Sequence, residues 1–327
     1  MLTFFISSYV SFLFALIRNF VYFSINHLVM PKSQALLKIE SLHPEKDAWE
    51  IIRLSLFYEF PWDFNRALEF ALYKTYATPS VVNVLHRTKE LENHTQKRYD
   101  DTDILLSEII ENGLKEGRGK QALEQMNKIH AAFKISNDDY IYVLSTFVFD
   151  TAFWINKYGY RKLTSNEELA GYYVWKEIGE HMHIHSIPDS IFKLKKFHDD
   201  YEAQNFIYTE VNAKVAKATE NLMLSWVLPS SLFELGRPVL HAVMEPHLLK
   251  AFNYQEPPKI LRQSIANLLR IRSSVESWFP RKSPYIRTKD YKHKAYPNGY
   301  TIEQLGPEKI INAAACPYHA VLNAVKQ

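Results

Sequence analysis

Lys97-Arg98-Tyr99-Asp100-Asp101-Thr102 and, further on, Met126-Asn127-Lys128-Ile129-His130-Ala131-Ala132-Phe133 bound the stretch that decides the fold. In its second half Ala122, Leu123, Met126, Ile129, His130 and Phe133 recur at three- and four-residue steps, which predicts one apolar stripe on an α-helix. His130 sits inside that stripe, while Glu124, Gln125, Lys128 and Lys134 fall largely elsewhere around the helix. An imidazole on an oily helical face can be a buried core histidine, a metal ligand or an axial haem ligand. Spacing alone favours the core histidine, because histidines are often buried without carrying function.

Working outward, Asp101–Asn112 reads as a helix closed by Gly113, and Asn93–Lys97 as a polar loop before it. Trp49, Ile52, Leu56 and Phe60 keep a helical period that Pro61 is expected to stop. Phe64–Tyr76 follows, capped by Asp63, and Ser80 is expected to cap the next helix, through Arg87. Ser136-Asn137-Asp138-Asp139 and Thr164-Ser165-Asn166-Glu167 both have capping-box form. They open the apolar run Tyr140–Trp154, ended by Gly159, and the helix Leu169–Ile178. Helices are also expected from Ser190 to Tyr201, Asn205 to Trp226, Ser231 to Met244 and Pro258 to Ser274. In the last of these, Ile265, Leu268, Leu269 and Arg272 predict one buried and one basic face. From Phe279 the Pro, Lys, Tyr and Gly content predicts an extended loop closing over the domain. No convincing run of alternating strands occurs, so the fold class is all-α.

The amino terminus departs from this pattern. Leu2–Ile17 carries no charge, Arg18-Asn19 interrupts it, and Phe20–Met30 resumes with apolar residues. Extended through Arg18, the run reaches the ~20 residues that span a bilayer. Residues 1–30 are therefore expected to be a membrane anchor, and residues 31–327 one helical domain. Arg18, Lys32 and Lys38 lie on the carboxyl side of the run, which places that domain in the cytosol.

Composition excludes several classes. An apolar content of 47%, a charged content of 23% and a net charge of only +3 describe a packed globular chain with no basic nucleic-acid surface. One cysteine, Cys316, rules out an intrachain disulfide and a cysteine-rich zinc site. The usual nucleotide, zinc-protease and serine-hydrolase motifs are missing. His181-Met182-His183-Ile184-His185 cannot converge on a metal from a helix, since side chains two apart point away from each other. Glu59-Phe60-Pro61-Trp62-Asp63 reads as packing plus a helix cap. Forty Phe and Tyr residues give ample means to line an oily pocket.

The two quoted segments, together with Ser136-Asn137-Asp138-Asp139-Tyr140, Trp154–Arg161, Trp175-Lys176-Glu177-Ile178-Gly179, Ile187-Pro188 and Tyr296-Pro297-Asn298-Gly299-Tyr300, carry a resemblance. In order and spacing they resemble the fungal membrane-bound oxygenases of mycophenolic acid biosynthesis, grouped with the bacterial latex clearing protein, a rubber oxygenase. The likeness runs from Trp49 to Gly306. It implies a globin-like helical domain holding haem b, and oxidation or cleavage of a C=C bond of a prenyl or terpenoid-type lipophilic substrate with dioxygen. By the same resemblance His130 matches the axial iron ligand, and Arg98 and Thr102 match polar residues near the haem. The rubber enzymes carry a lysine just before the threonine. This chain carries Asp101, an acid able to position water or a proton donor instead. The implied location is the endoplasmic reticulum membrane. The alternative is a non-catalytic, membrane-tethered haem or lipid-binding protein.

Overall fold

The computed structural model describes residues 32–315, so the expected anchor at 1–30 lies outside the described residues. The described chain is all-helical, with no strand, and none of its helices is long and apolar enough to cross a membrane. Among its helices are α1 (Gln34–Ser41), α2 (Ala48–Leu54), α3 (Pro61–Lys74), α4 (Pro79–Thr88), α5 (Thr95–Asn112) and α6 (Gly117–His130). They continue as α7 (Asn137–Tyr158), α8 (Ser165–His181), α9 (Ile191–Asn205), α10 (Glu210–Ser225), α11 (Phe233–His241) and α12 (Lys259–Ser277).

Helix α7 is the axis of the fold. Ser136 caps it by accepting the Asp139 N–H, and buried side chains from Ile141 to Tyr158 cover both its faces. A helix apolar all round must be surrounded. Accordingly α3, α8, α9 and α12 all pack against α7. The capping box is only half formed there: the Asp139 carboxylate takes hydrogen bonds from Ser80 (2.8 Å) and Tyr201 instead. Ser80 is thereby spent on a tertiary contact, and Thr78 takes the N-cap place of α4. The box at Thr164 and Glu167 is complete.

Three other expectations shift for local reasons. Pro61 starts a helix rather than ending one, because its fixed φ and missing N–H suit the first helical position. The chain before it, Ser55–Glu59, widens into a π-helical turn. Asp63 is therefore inside the first turn of α3, where it pairs with Arg272 of α12 at 2.6 Å. Helix α5 begins at Thr95, not Asp101, with Gln96–Asp100 and Lys97–Asp101 bonds (both 2.9 Å) bracing its first turns. The expected Asn205–Trp226 helix starts only at Glu210, where Thr209 supplies the cap.

The turn between α5 and α6 places His130. Gly113 has φ +78°, and a Cβ on Gly119 would sit 2.0 Å from the Gly113 carbonyl oxygen. Only a glycine pair lets the two helices meet so closely. Helix α6 then ends at His130 rather than Phe133. The carboxyl-terminal stretch wraps across α5 and α6, as expected of a closing loop: Ala295 N–H donates to Asp100 (2.7 Å) and Gln125 donates to the Leu305 carbonyl (2.8 Å).

Candidate functional site: a buried chamber at His130

Helices α3, α5, α6, α7 and α8 enclose a cavity of about 300 Å³, within the range of small-molecule sites. Its wall is mostly aliphatic and aromatic, with Ile129, Val143, Phe147 and Trp175 among its members. His130, Arg98, Thr102 and Asp101, the four residues singled out from sequence, all border it.

His130 is half-buried and borders this chamber. Its buried Nδ1 has no hydrogen-bond partner. The Tyr140 ring stands edge-on to the imidazole, with centroids 5.6 Å apart. Burial, helped by the positive charge of Arg98, pushes the imidazole pKa down to about 4. The carboxyl end of α6 pulls the other way, since a helix terminus of that sign favours imidazolium by about 0.3–1 kcal/mol. Dehydration is the larger effect. The ring is therefore neutral, unpartnered and available as a ligand.

Arg98 and Thr102 stand one turn apart on α5 and are joined by a bond from the guanidinium to the hydroxyl. The Thr102 hydroxyl also donates back to the Arg98 carbonyl (3.1 Å). Asp101 is used differently. It is buried, and its oxygens accept from Lys97 (2.9 Å) and from Tyr296. Lys97 also donates to the Gly306 carbonyl at 2.8 Å. Asp101 is thus the centre of a clamp that holds the carboxyl-terminal wrap over the chamber.

Sequence reading missed a second polar group on the chamber wall. Glu69 on α3 accepts from Arg66 and from the Tyr99 hydroxyl, and burial raises its carboxyl pKa to about 7. Beside it Arg287 pairs with Asp103 (3.0 Å), which also meets His293 Nε2 at 2.8 Å. The partners come from opposite ends of the chain, so no local spacing announces them.

A second buried histidine cluster was also missed. Asp150, His198 and Glu202 bring ligand-type atoms within 4.8 Å of one another. The place a metal would take is filled by the Lys74 ammonium, which lies 2.8 Å from Asp150, 2.7 Å from Glu202 and 3.0 Å from Glu245. Those three carboxylates hold the ammonium charged well above its usual range, against the pull of burial. This is a structural ion cluster. The three histidines at 181–185 do not converge either: the His181 ring contacts its own helix at the Glu177 carbonyl, and His183 turns outward at φ +61°.

The fold and this chamber define an all-helical protein with a neutral histidine facing an apolar cavity. No family model matches the chain. Among known proteins it is similar to the ER-bound oxygenase mpaB′ of Penicillium brevicompactum, at 24% identity over 80% of this chain and 81% of the relative. It is also similar to the ER-bound oxygenase mpaB of Penicillium roqueforti, at 26% identity over 65% of this chain and 77% of the relative. The mpaB of Penicillium brevicompactum is 25% identical over 64% of this chain and 58% of the relative. The resemblance read from the motifs is thus shown, as a distant sequence relationship to the ER-bound oxygenases of mycophenolic acid biosynthesis.

Proposed function

We propose that the protein is a haem b-dependent oxygenase that cleaves a C=C bond of a lipophilic, prenyl- or terpenoid-type substrate at the endoplasmic reticulum membrane. The observation that carries this reading is His130: a neutral imidazole that borders an apolar chamber and whose Nδ1 has no hydrogen-bond partner within the protein. That donor fits haem iron, which takes a neutral imidazole on a rigid helix in low-dielectric surroundings. His130 would hold the iron. When bound, haem supplies the activation of dioxygen. Cleavage that places one oxygen atom of O2 on each alkene carbon forms two carbonyls, so it balances without a further reductant.

The chain's own groups do the rest. Arg98 brings a positive charge, and Thr102 a hydroxyl, to a chamber otherwise lined by carbon. Such preoriented polar groups act most strongly where water is excluded. The aliphatic and aromatic wall accepts a hydrophobic chain and keeps water out. The clamp of Asp101, Lys97 and Tyr296 keeps the roof of the chamber in place. The relatives' names and the apolar Leu2–Met30 stretch support a membrane location, with the helical domain on the cytosolic side.

The test is an absorption spectrum of the full chain after haem supplementation, followed by oxygen uptake with a prenyl alkene. A Soret band and alkene-dependent uptake are expected. No Soret band would sink the reading; a Soret band without uptake would favour a haem- or lipid-binding protein.

A further inference from the structure

Helix α12 packs Ala266 and Leu269 inward and carries a second apolar stripe on its outward side. At 100° per residue, Ile260, Leu268, Ile271 and Val275 fall within an arc of ~80°. Its buried residues, Ala266 and Ser273, lie on the opposite side of the wheel. Leu268, expected in the core, is 61% exposed, Ile260 78%, and Phe279 just beyond the helix 74%. The neighbouring α11 exposes Leu235 and Val239. Apolar surface gathered in this way marks an interaction site rather than chance exposure.

Two independent observations indicate what covers it. The first is charge. Lys259, Arg270, Arg281 and Lys282 are all exposed along and after α12, and Glu276 is the only acid in the helix. Glu276 is itself paired with Arg272 at 2.6 Å. The second is where the described chain starts. Ser33 donates to Glu59, which is held by Arg161 at 2.8 Å, and Asp63, one turn further on, pairs with Arg272 of α12. The chain therefore enters the domain beside the carboxyl-terminal half of α12, and the sequence ahead of that entry is the uncharged Leu2–Ile17 run and its continuation.

We infer that the outward faces of α12 and α11 form a second membrane contact, lying flat on an anionic phospholipid surface beside the amino-terminal apolar stretch. This rests on the membrane location proposed above. An apolar stripe rimmed by Lys and Arg, with Trp278 and Phe279 at one end, is the chemistry of a helix that lies in the headgroup plane. Each basic side chain near such a surface strengthens partition about five-fold. The contact fixes the tilt of the domain, which an amino-terminal anchor alone leaves free.

The experiment uses the full chain with Cys316→Ser, carrying a nitroxide at Leu268→Cys or Ile271→Cys, and at exposed Lys193→Cys as the control. Each is reconstituted in phosphatidylcholine vesicles with and without phosphatidylserine. Collision with oxygen, which concentrates in bilayers, is compared with collision with a water-soluble nickel chelate. The inference expects nickel access several-fold lower at 268 and 271 than at 193, with oxygen access raised. Phosphatidylserine should enhance the shielding, and Lys259→Glu with Lys282→Glu should relieve it. Labels as open to nickel as the control would overturn the inference. So would shielding from both reagents, which means a protein cover such as a second copy, or shielding that ignores the charge reversal. The Soret band of the same samples reports haem binding separately, so failure of one reading is not mistaken for failure of the other.

Discussion

Two histidines of the same bundle, His198 and His130, are held in chemically different ways. Around His198 both ring nitrogens have a partner, Ser145 at Nδ1 (2.9 Å) and Glu202 at Nε2 (3.0 Å), and Lys74 closes the charge balance among three carboxylates, although one Asp150 oxygen stays unpartnered. Around His130 the buried Nδ1 has none. Buried polar groups are normally satisfied, and an orphan costs about 1–3 kcal/mol. The fold meets that requirement at the His198 ring and leaves it unmet at the His130 ring. The His198 and Lys74 cluster fastens α3, α7 and α9 together. The His130 ring borders a chamber with room for a ligand.

The contrast can be broken first at Lys74. Lys74→Met leaves Asp150, Glu202 and Glu245 without their cation, and removing one partner of a buried ion cluster costs roughly 3–5 kcal/mol. Chemical denaturation should show that loss, while the fraction that remains folded keeps its full haem complement. Preserved stability would mean that the cluster does not fasten the helices.

Glu69 offers a pH test on the chamber side. Its carboxyl is raised from the ordinary 4.5 to about 7, so between these values the folded chain holds a proton that the unfolded chain has released. Its contribution is thus fully present below pH 4.5 and is lost as pH rises to 7, by up to roughly 3 kcal/mol. Glu69→Gln should flatten stability against pH over that window. An unchanged pH slope would show that Glu69 is not the group responsible.

Smaller effects are expected at the roof and at the polar pair. Tyr296→Phe removes one bond to Asp101 and should cost about 1–2 kcal/mol, with faster proteolysis of the carboxyl-terminal wrap as its local sign. Arg98→Ala and Thr102→Ala should each move stability by about 0.5 kcal/mol, as for a helix i,i+4 pair, yet lower oxygen uptake at least tenfold with haem content intact. Loss of haem in both variants would make the pair part of the cofactor's seat instead.

Where the physics is local, the sequence was easy to read. The capping boxes, the apolar run of α7, Gly113 and the period through His130 announced the helices and put His130 on a buried face. The chamber residues Arg98 and Thr102 came from motif resemblance, and one α-helix explains why their spacing recurs. What stayed hidden depends on contacts between distant segments. Glu69 needs Arg66, Tyr99 and the late-coming Arg287; Asp101 reads as a candidate acid until Tyr296 and Lys97 occupy its oxygens. Leu268 follows the right period for a core helix, but period alone does not say which side of the helix meets the protein. Pro61 is ambiguous for a similar reason, since the same ring that breaks a helix interior suits a helix start.

The most direct test of the central claim is His130→Ala, with haem content and helicity read on the same sample. The imidazole borders an existing cavity and carries an orphaned nitrogen, so its loss should leave the helical content of the chain unchanged. The account predicts that the Soret band falls to a small fraction of wild type while far-ultraviolet dichroism stays the same. Full haem occupancy with an unaltered spectrum in His130→Ala would contradict it.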